Sequence, residues 1–159
     1  MPTIAKNNDV ITVIIIFAVE PERQQELINI IVEFVETEVK HQPGFVSSSI
    51  HKSLDGVRVM NYAQWQSRED YEAFVNNSEV QSQGAKLANF HLLESHVYEV
   101  AVSVPEDATL KISPGSLIHL AEFPVKPGNQ QRKRGIGKGI RRNRIAASRL
   151  NVCQLSPLI

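Results

Sequence analysis

The apolar positions of this chain fall into runs with two different periods. Val10 to Val19 is hydrophobic at nearly every place and rich in isoleucine and valine. That pattern predicts a central strand buried on both faces. Pro21 suits the first position of a helix, and Leu27, Ile28, Ile30, Ile31, Phe34, Val35 and Val39 then repeat at helical spacing. The sequence His41-Gln-Pro43-Gly44 stops that run. Phe45 to Lys52 has the length and composition of a strand. Ser53-Leu-Asp55-Gly56 follows as a hairpin turn, and Val57 to Gln66 is the returning strand. Ser67 to about Asn76 is predicted helical, with Ser67 and Asp70 as a capping pair. Asn76-Asn77-Ser78 interrupts it, and Ser78 is expected to cap a short helix to about Ala88. Phe90 to Val104 is expected as a last long strand.

The order β-α-β-β-α-β predicts an α+β fold, the ferredoxin-like split βαβ with an antiparallel sheet. Its first and third strands are central, which suits a first strand that is apolar on both sides. One face packs the helices. The other is expected to lie open in a monomer, and a second sheet of the same kind is its natural cover, so a homodimer is expected.

Composition adds limits. The longest apolar run, Ile11 to Val19, is too short to span a bilayer. The start of the chain lacks the basic-then-apolar order of a signal peptide, so the cytoplasm is the expected location. A single cysteine, Cys153, provides neither an internal disulfide framework nor a metal cluster. The net charge of zero conceals a division. Residues 1–122 carry 17 acidic and 8 basic side chains, a balance of −9, while residues 123–159 carry 9 basic ones and no acid.

Organisation follows the charge. Residues 8–104 are the predicted domain and 105–115 a linker with proline at both ends. Phe17-Ala-Val-Glu-Pro-Glu-Arg-Gln-Gln25 then returns as Phe123-Pro-Val-Lys-Pro-Gly-Asn-Gln-Gln131, an offset of 106 residues without gaps. Residues 116–132 therefore read as the start of an incomplete second copy, and 133–159 as a basic tail without ordered structure. Two explanations of the tail stay open. It is a natural basic segment for nucleic acid or another acidic surface, or the truncated end of a second repeat read out of frame. The abrupt break after a matched motif and the lack of interleaved aromatics favour the latter, so a nucleic-acid partner is not expected.

Candidate chemistry gathers in Asn61-Tyr-Ala-Gln-Trp65-Gln-Ser-Arg-Glu-Asp-Tyr71. Asn61 and Trp65 are four apart in a strand and share a face, while Tyr71 falls in the first turn of the next helix. An amide, an indole N–H and a phenol at one rim suit an oxygen-rich aromatic ligand. Packing with satisfied polar tips is the plainer use of such aromatics. His91 and His96, five apart on the last strand, are expected on opposite faces, and no metal-ligand spacing occurs.

These residues carry a resemblance. Val19-Glu-Pro-Glu-Arg23, Gln42-Pro-Gly-Phe45, Asp55-Gly56 and above all Asn61-Tyr-Ala-Gln-Trp65 with Tyr71 resemble the antibiotic biosynthesis monooxygenase family of dimeric α/β barrels over about residues 8–104. Within it the chain is most similar to cofactor-independent oxygenases of aromatic polyketide pathways. The resemblance implies oxidation of a small phenolic, anthrone-like aromatic to a quinone with O2, by a homodimer without cofactor or metal. It implies Asn61, Trp65 and Tyr71 as catalytic residues, and Asn61, Tyr62, Trp65 and Lys86 as substrate contacts. Ala85 stands where the family's basic residue is expected, and Lys86 is one place on. The alternative is a non-catalytic ligand-binding or stress-response barrel of the same fold. Haem-degrading relatives use an Asn, a Trp and an axial His where this chain has Ile15, Phe74 and Gly84, which argues against that activity.

Overall fold

The computed structural model describes residues 2–5, 9–104 and 109–122, with the backbone of Val152–Ser156. The chain divides into two compact units, residues 1–112 and 113–159. The first unit contains β1 (Thr3–Ile4), β2 (Ile11–Ala18), α1 (Gln24–Thr37), β3 (Phe45–Lys52), β4 (Arg58–Trp65), α2 (Arg68–Asn76), α3 (Ser78–Gln83), β5 (His91–Tyr98) and β6 (Leu110–Lys111). β2 to β5 form one antiparallel sheet in the order β3-β4-β2-β5. This is the expected α+β ferredoxin-like arrangement, with the first and third strands of the motif at the centre.

Strand periodicity sorts the residues into two faces. Val13, Ile15 and Phe17 stand opposite Ala63, Asn61 and Val59 on the helix side. Two buried clusters form there. Phe17, Leu27, Ile31, Val59 and Phe90 make one, and Val13, Val39, Ala63 and Trp65 the other. Leu27 and Val59 are fully buried, and each such side chain contributes about 1.5–3 kcal/mol by leaving water.

The junction between β4 and α2 is tied by short-range bonds. Ser67 caps α2, its hydroxyl accepting from Asp70 N (3.1 Å) and donating to Asp70 Oδ2 (2.6 Å). Gln66 N donates to Gly44 O at 2.7 Å. Gly44 has φ +77°, and a Cβ there would fall onto the Asp70 side chain. Glycine is required both by conformation and by space. Gly56, with φ +82°, closes the β3–β4 hairpin.

Several expectations change. The last strand ends at Tyr98 instead of Val104, because Tyr98 already pairs with Thr12, next to the start of β2. Asn77, not Ser78, caps α3, accepting from Glu79 N and Val80 N. A 3-10 turn, Ala85–Asn89, then replaces the end of that helix after Gly84 packs against Phe34. A register shift in β5 places both His91 and His96 on one face, opposite Ala18 and Ile14, because a bulge resets the alternation. Four strand positions still separate the two rows.

The face away from the helices is not open at its centre. Thr12, Ile14, Ile16, Tyr62 and Gln64 are all buried within one chain. A ribbon of β1 and β6 contributes near one end, where Gln64 Nε2 donates to Thr3 O (2.6 Å) and Thr3 N donates to Gln64 Oε1 (3.3 Å). Leu110–Lys111 of that ribbon lie inside the stretch expected as linker.

In the second unit β7 (Leu117–Ala121) pairs antiparallel with β8 (Val152–Ser156). β7 begins 106 residues after β2 begins at Ile11. The echo at Phe123–Gln131 lies outside the described residues, as does most of the stretch 133–159 expected as a basic tail without ordered structure; the strand β8 falls inside that stretch. Among those described, no helix is long and apolar enough to cross a membrane.

Two outcomes follow from this packing. Gly44→Ala should lower the unfolding free energy by about 2 kcal/mol or more, read from urea denaturation at unchanged m-value. His51 lies on the helix-free face, opposite Met60. Its Nε2 is buried without a hydrogen bond, and burial lowers its pKa below the ordinary 6.5. The unfolded chain therefore binds the proton first, so this contribution to stability is lost as pH falls below about 6.5. His51→Gln should flatten the dependence of the urea midpoint between about pH 5 and 7.

Candidate active site

β4 carries the candidate residues because its alternation places Val59, Asn61, Ala63 and Trp65 toward the helices and Met60, Tyr62 and Gln64 away from them. Trp65, the only tryptophan, is 1% exposed. Its indole stacks on Phe74 at 5.0 Å between centroids and 29° between planes. Tyr71 meets it edge-on at 5.8 Å and Phe45 at 5.6 Å. Tyr71 and Phe74 are three apart on α2 and so present one side of the helix. Each aromatic pair adds about 0.5–1.5 kcal/mol beyond area burial, so this cluster helps dock α2 on the sheet. A hollow of about 200 Å³, lined by Gln42, Pro43, Asp70, Ala73, Phe74 and Asn77, lies against the same Phe74.

Asn61 occupies a polar place in an apolar stretch of the helix-side face. Its row across the sheet is Ile50, Asn61, Ile15 and Ser95. The Ser48 hydroxyl donates to its Oδ1 at 2.5 Å. Among the described residues, neither the Asn61 NH2 nor the Trp65 N–H donates to a protein acceptor. Two spare donors therefore sit on one face of one strand, with the small Ala63 between them. Four strand positions span about 13 Å.

The structure thus brings Trp65 and Tyr71 into contact and keeps Asn61 on their side of the sheet. It does not bring in the other two expected contacts. Tyr62 points to the opposite face, where its hydroxyl lies 3.2 Å from Thr12 Oγ1. Lys86 is exposed in the 3-10 turn, its ammonium 3.1 Å from the Glu33 carboxylate on α1. The sequence reading missed Ser48, Phe45 and Phe74. Phe74 was visible as the residue one turn beyond Tyr71, whereas Ser48 depends on the β3–β4 register. Among the described residues no group of three or more His, Cys, Asp or Glu is placed to hold a metal ion.

Comparison with known proteins bears on the family and the fold. Residues 10–83 match the family described as Antibiotic biosynthesis monooxygenase. The chain is 45% identical over 73 residues to tetracenomycin-F1 monooxygenase of Streptomyces glaucescens, a match covering 46% of this chain and 65% of that protein. It therefore spans slightly less than two thirds of that relative. Among solved structures, one described as an anthrone oxidase-like protein superposes with TM-score 0.66 at 26% identity, over 82% of this chain and 58% of its own. SnoaB, a cofactor-independent oxygenase from Streptomyces nogalater, shares the fold with TM-score 0.50 at 19% identity, over 62% of this chain and 99% of its own.

The burial of Trp65 has a direct readout. Its fluorescence should be blue-shifted in the native protein and move to the red with the same urea midpoint as the loss of helical signal. Trp65→Ala should cost about 3–5 kcal/mol, whereas Trp65→Phe, which keeps an aromatic ring, should cost clearly less.

Proposed function

We propose that this domain is a cofactor-independent oxygenase of the antibiotic biosynthesis monooxygenase family, working in the cytoplasm on a small phenolic, anthrone-like aromatic. The observation that carries the reading is the pair of spare donors, the Asn61 amide and the Trp65 indole, on the helix-side face with Tyr71 against Trp65. The likeness to tetracenomycin-F1 monooxygenase and to an anthrone oxidase-like protein supports it.

The chemistry asks little of the protein. A phenol or enol that loses its proton becomes electron-rich enough to react with O2. The substrate CH2 is oxidised to a carbonyl, one oxygen atom entering the product and the other leaving as water. The site needs to orient the ring system, favour the anion and exclude bulk water. Asn61 donates to the developing oxyanion, Trp65, about 13 Å along the strand, donates to a second oxygen of the ring system, and Tyr71 relays a proton. The proposed site is confined to these three, because Tyr62 faces away and Lys86 is engaged by Glu33.

A binding-only role is the second reading, favoured by the dense packing of Trp65 among Phe45, Tyr71 and Phe74. A homodimer remains part of the proposal. It does not need the centre of the helix-free face, which is buried within one chain.

With 1,8-dihydroxyanthrone as substrate, the purified protein treated with chelator should consume O2 and form the quinone above the uncatalysed rate. Asn61→Ala and Trp65→Phe should each lower kcat/KM at least about tenfold, a loss of about 1.4 kcal/mol in transition-state stabilisation. Unchanged turnover in both variants removes the site. Saturable binding of the anthrone without O2 uptake establishes the binding-only reading instead.

A further inference from the structure

We propose that Ser48 is a positioning residue for Asn61, holding its amide so that the NH2 rather than the carbonyl faces the bound aromatic. This inference rests on the reading of Asn61 as the oxyanion donor.

The geometry begins with the register. Ser48 pairs with Ala63 and Ile50 pairs with Asn61 across β3 and β4, so Ser48 is the diagonal neighbour of Asn61 on the helix-side face. A diagonal pair at this spacing is within reach of short polar side chains. The Ser48 hydroxyl lies 2.5 Å from Asn61 Oδ1 in a part-buried setting. A carboxamide oxygen only accepts, so the serine must be the donor. Oδ1 is thereby spent on the protein. The NH2 has no protein acceptor among the described residues and keeps its two donor sites for a ligand.

The need for such a hold is physical. The terminal torsion of an asparagine is broad and roughly two-fold, so an unrestrained amide presents either end. A carbonyl oxygen turned toward a developing oxyanion repels the charge that an NH2 would stabilise. The direct neighbours of Asn61 across the sheet are Ile50 and Ile15, which provide no polar group to choose the orientation. Ser48 supplies that choice from the adjacent strand. Part of the preorganisation of the oxyanion donor therefore resides in a residue that need not touch the substrate.

The decisive comparison uses the full chain with Ser48→Ala, Ser48→Thr, Asn61→Ala and the double variant Ser48→Ala/Asn61→Ala, assayed with 1,8-dihydroxyanthrone and O2. Ser48→Ala should lower kcat about five- to tenfold with KM within about twofold, and Ser48→Thr, which keeps the hydroxyl, should stay within about twofold of wild type. The double variant should match Asn61→Ala, because Ser48 acts only through that amide. An activity-independent arm follows the Asn61 side-chain amide pair by 1H–15N NMR, assigned by its loss in Asn61→Ala. The pair should be alike in wild type and Ser48→Thr and move to solvent-exposed asparagine shifts in Ser48→Ala. Wild-type kcat in Ser48→Ala beside an impaired Asn61→Ala overturns the positioning role and leaves the functional reading standing. If Asn61→Ala is as active as wild type, the oxygenase site falls. An amide pair that does not move in Ser48→Ala overturns the inference even where no turnover is measured.

Discussion

Trp65 joins the sheet to the helix layer. Its ring is held on three sides by Phe74 and Tyr71 from α2 and Phe45 from the start of β3, and Val13, Val39 and Ala63 close the cluster. Each aromatic contact is small, about 0.5–1.5 kcal/mol, but together they determine where α2 sits. The Ser67 cap and the close approach of Gly44 to Asp70 fix the entry angle of the same helix. By contrast, the exposed ion pairs such as Arg68–Glu72 and Lys86–Glu33 contribute little, because solvent screens them. The position of Tyr71 is therefore set by packing and capping rather than by surface charge.

In the proposed site the same indole is both anchor and ligand contact. These roles are compatible only because an indole has an apolar body and one N–H at its edge. The body is consumed by Phe74, while the N–H makes no hydrogen bond to protein among the described residues. Asn61 shows the complementary arrangement. Its carbonyl is satisfied by Ser48 and its NH2 is left over. A polar residue on a core-facing side costs stability unless it is bonded, and here one half of the amide is bonded while the other half is kept in reserve.

Lys86 marks the limit of a family pattern carried over by spacing alone. The helix that was expected to continue through it breaks at Gly84 and resumes as a 3-10 turn. Different rotation per residue aims the ammonium at Glu33 on α1. Position in the chain is thus a poor guide to direction wherever the local helical geometry changes.

Much of the core domain was legible from local rules. The two-sided apolar run of β2, the helical spacing of α1, the Asp55-Gly56 turn and the alternation of β4 each depend on residues close in the chain. Period two alone put Asn61 and Trp65 on one face; the same alternation turns Tyr62 to the other, against its expected role as a substrate contact. What local rules cannot supply is register between strands and the geometry at element ends. The bulge that moved His91 to the side of His96, the burial of Ile14 and Ile16 within one chain instead of against a second sheet, and the diagonal from Ser48 to Asn61 all arise from contacts between distant segments. Side-chain alternation is a property of one strand, but which neighbour a side chain meets is decided only when the strands are paired.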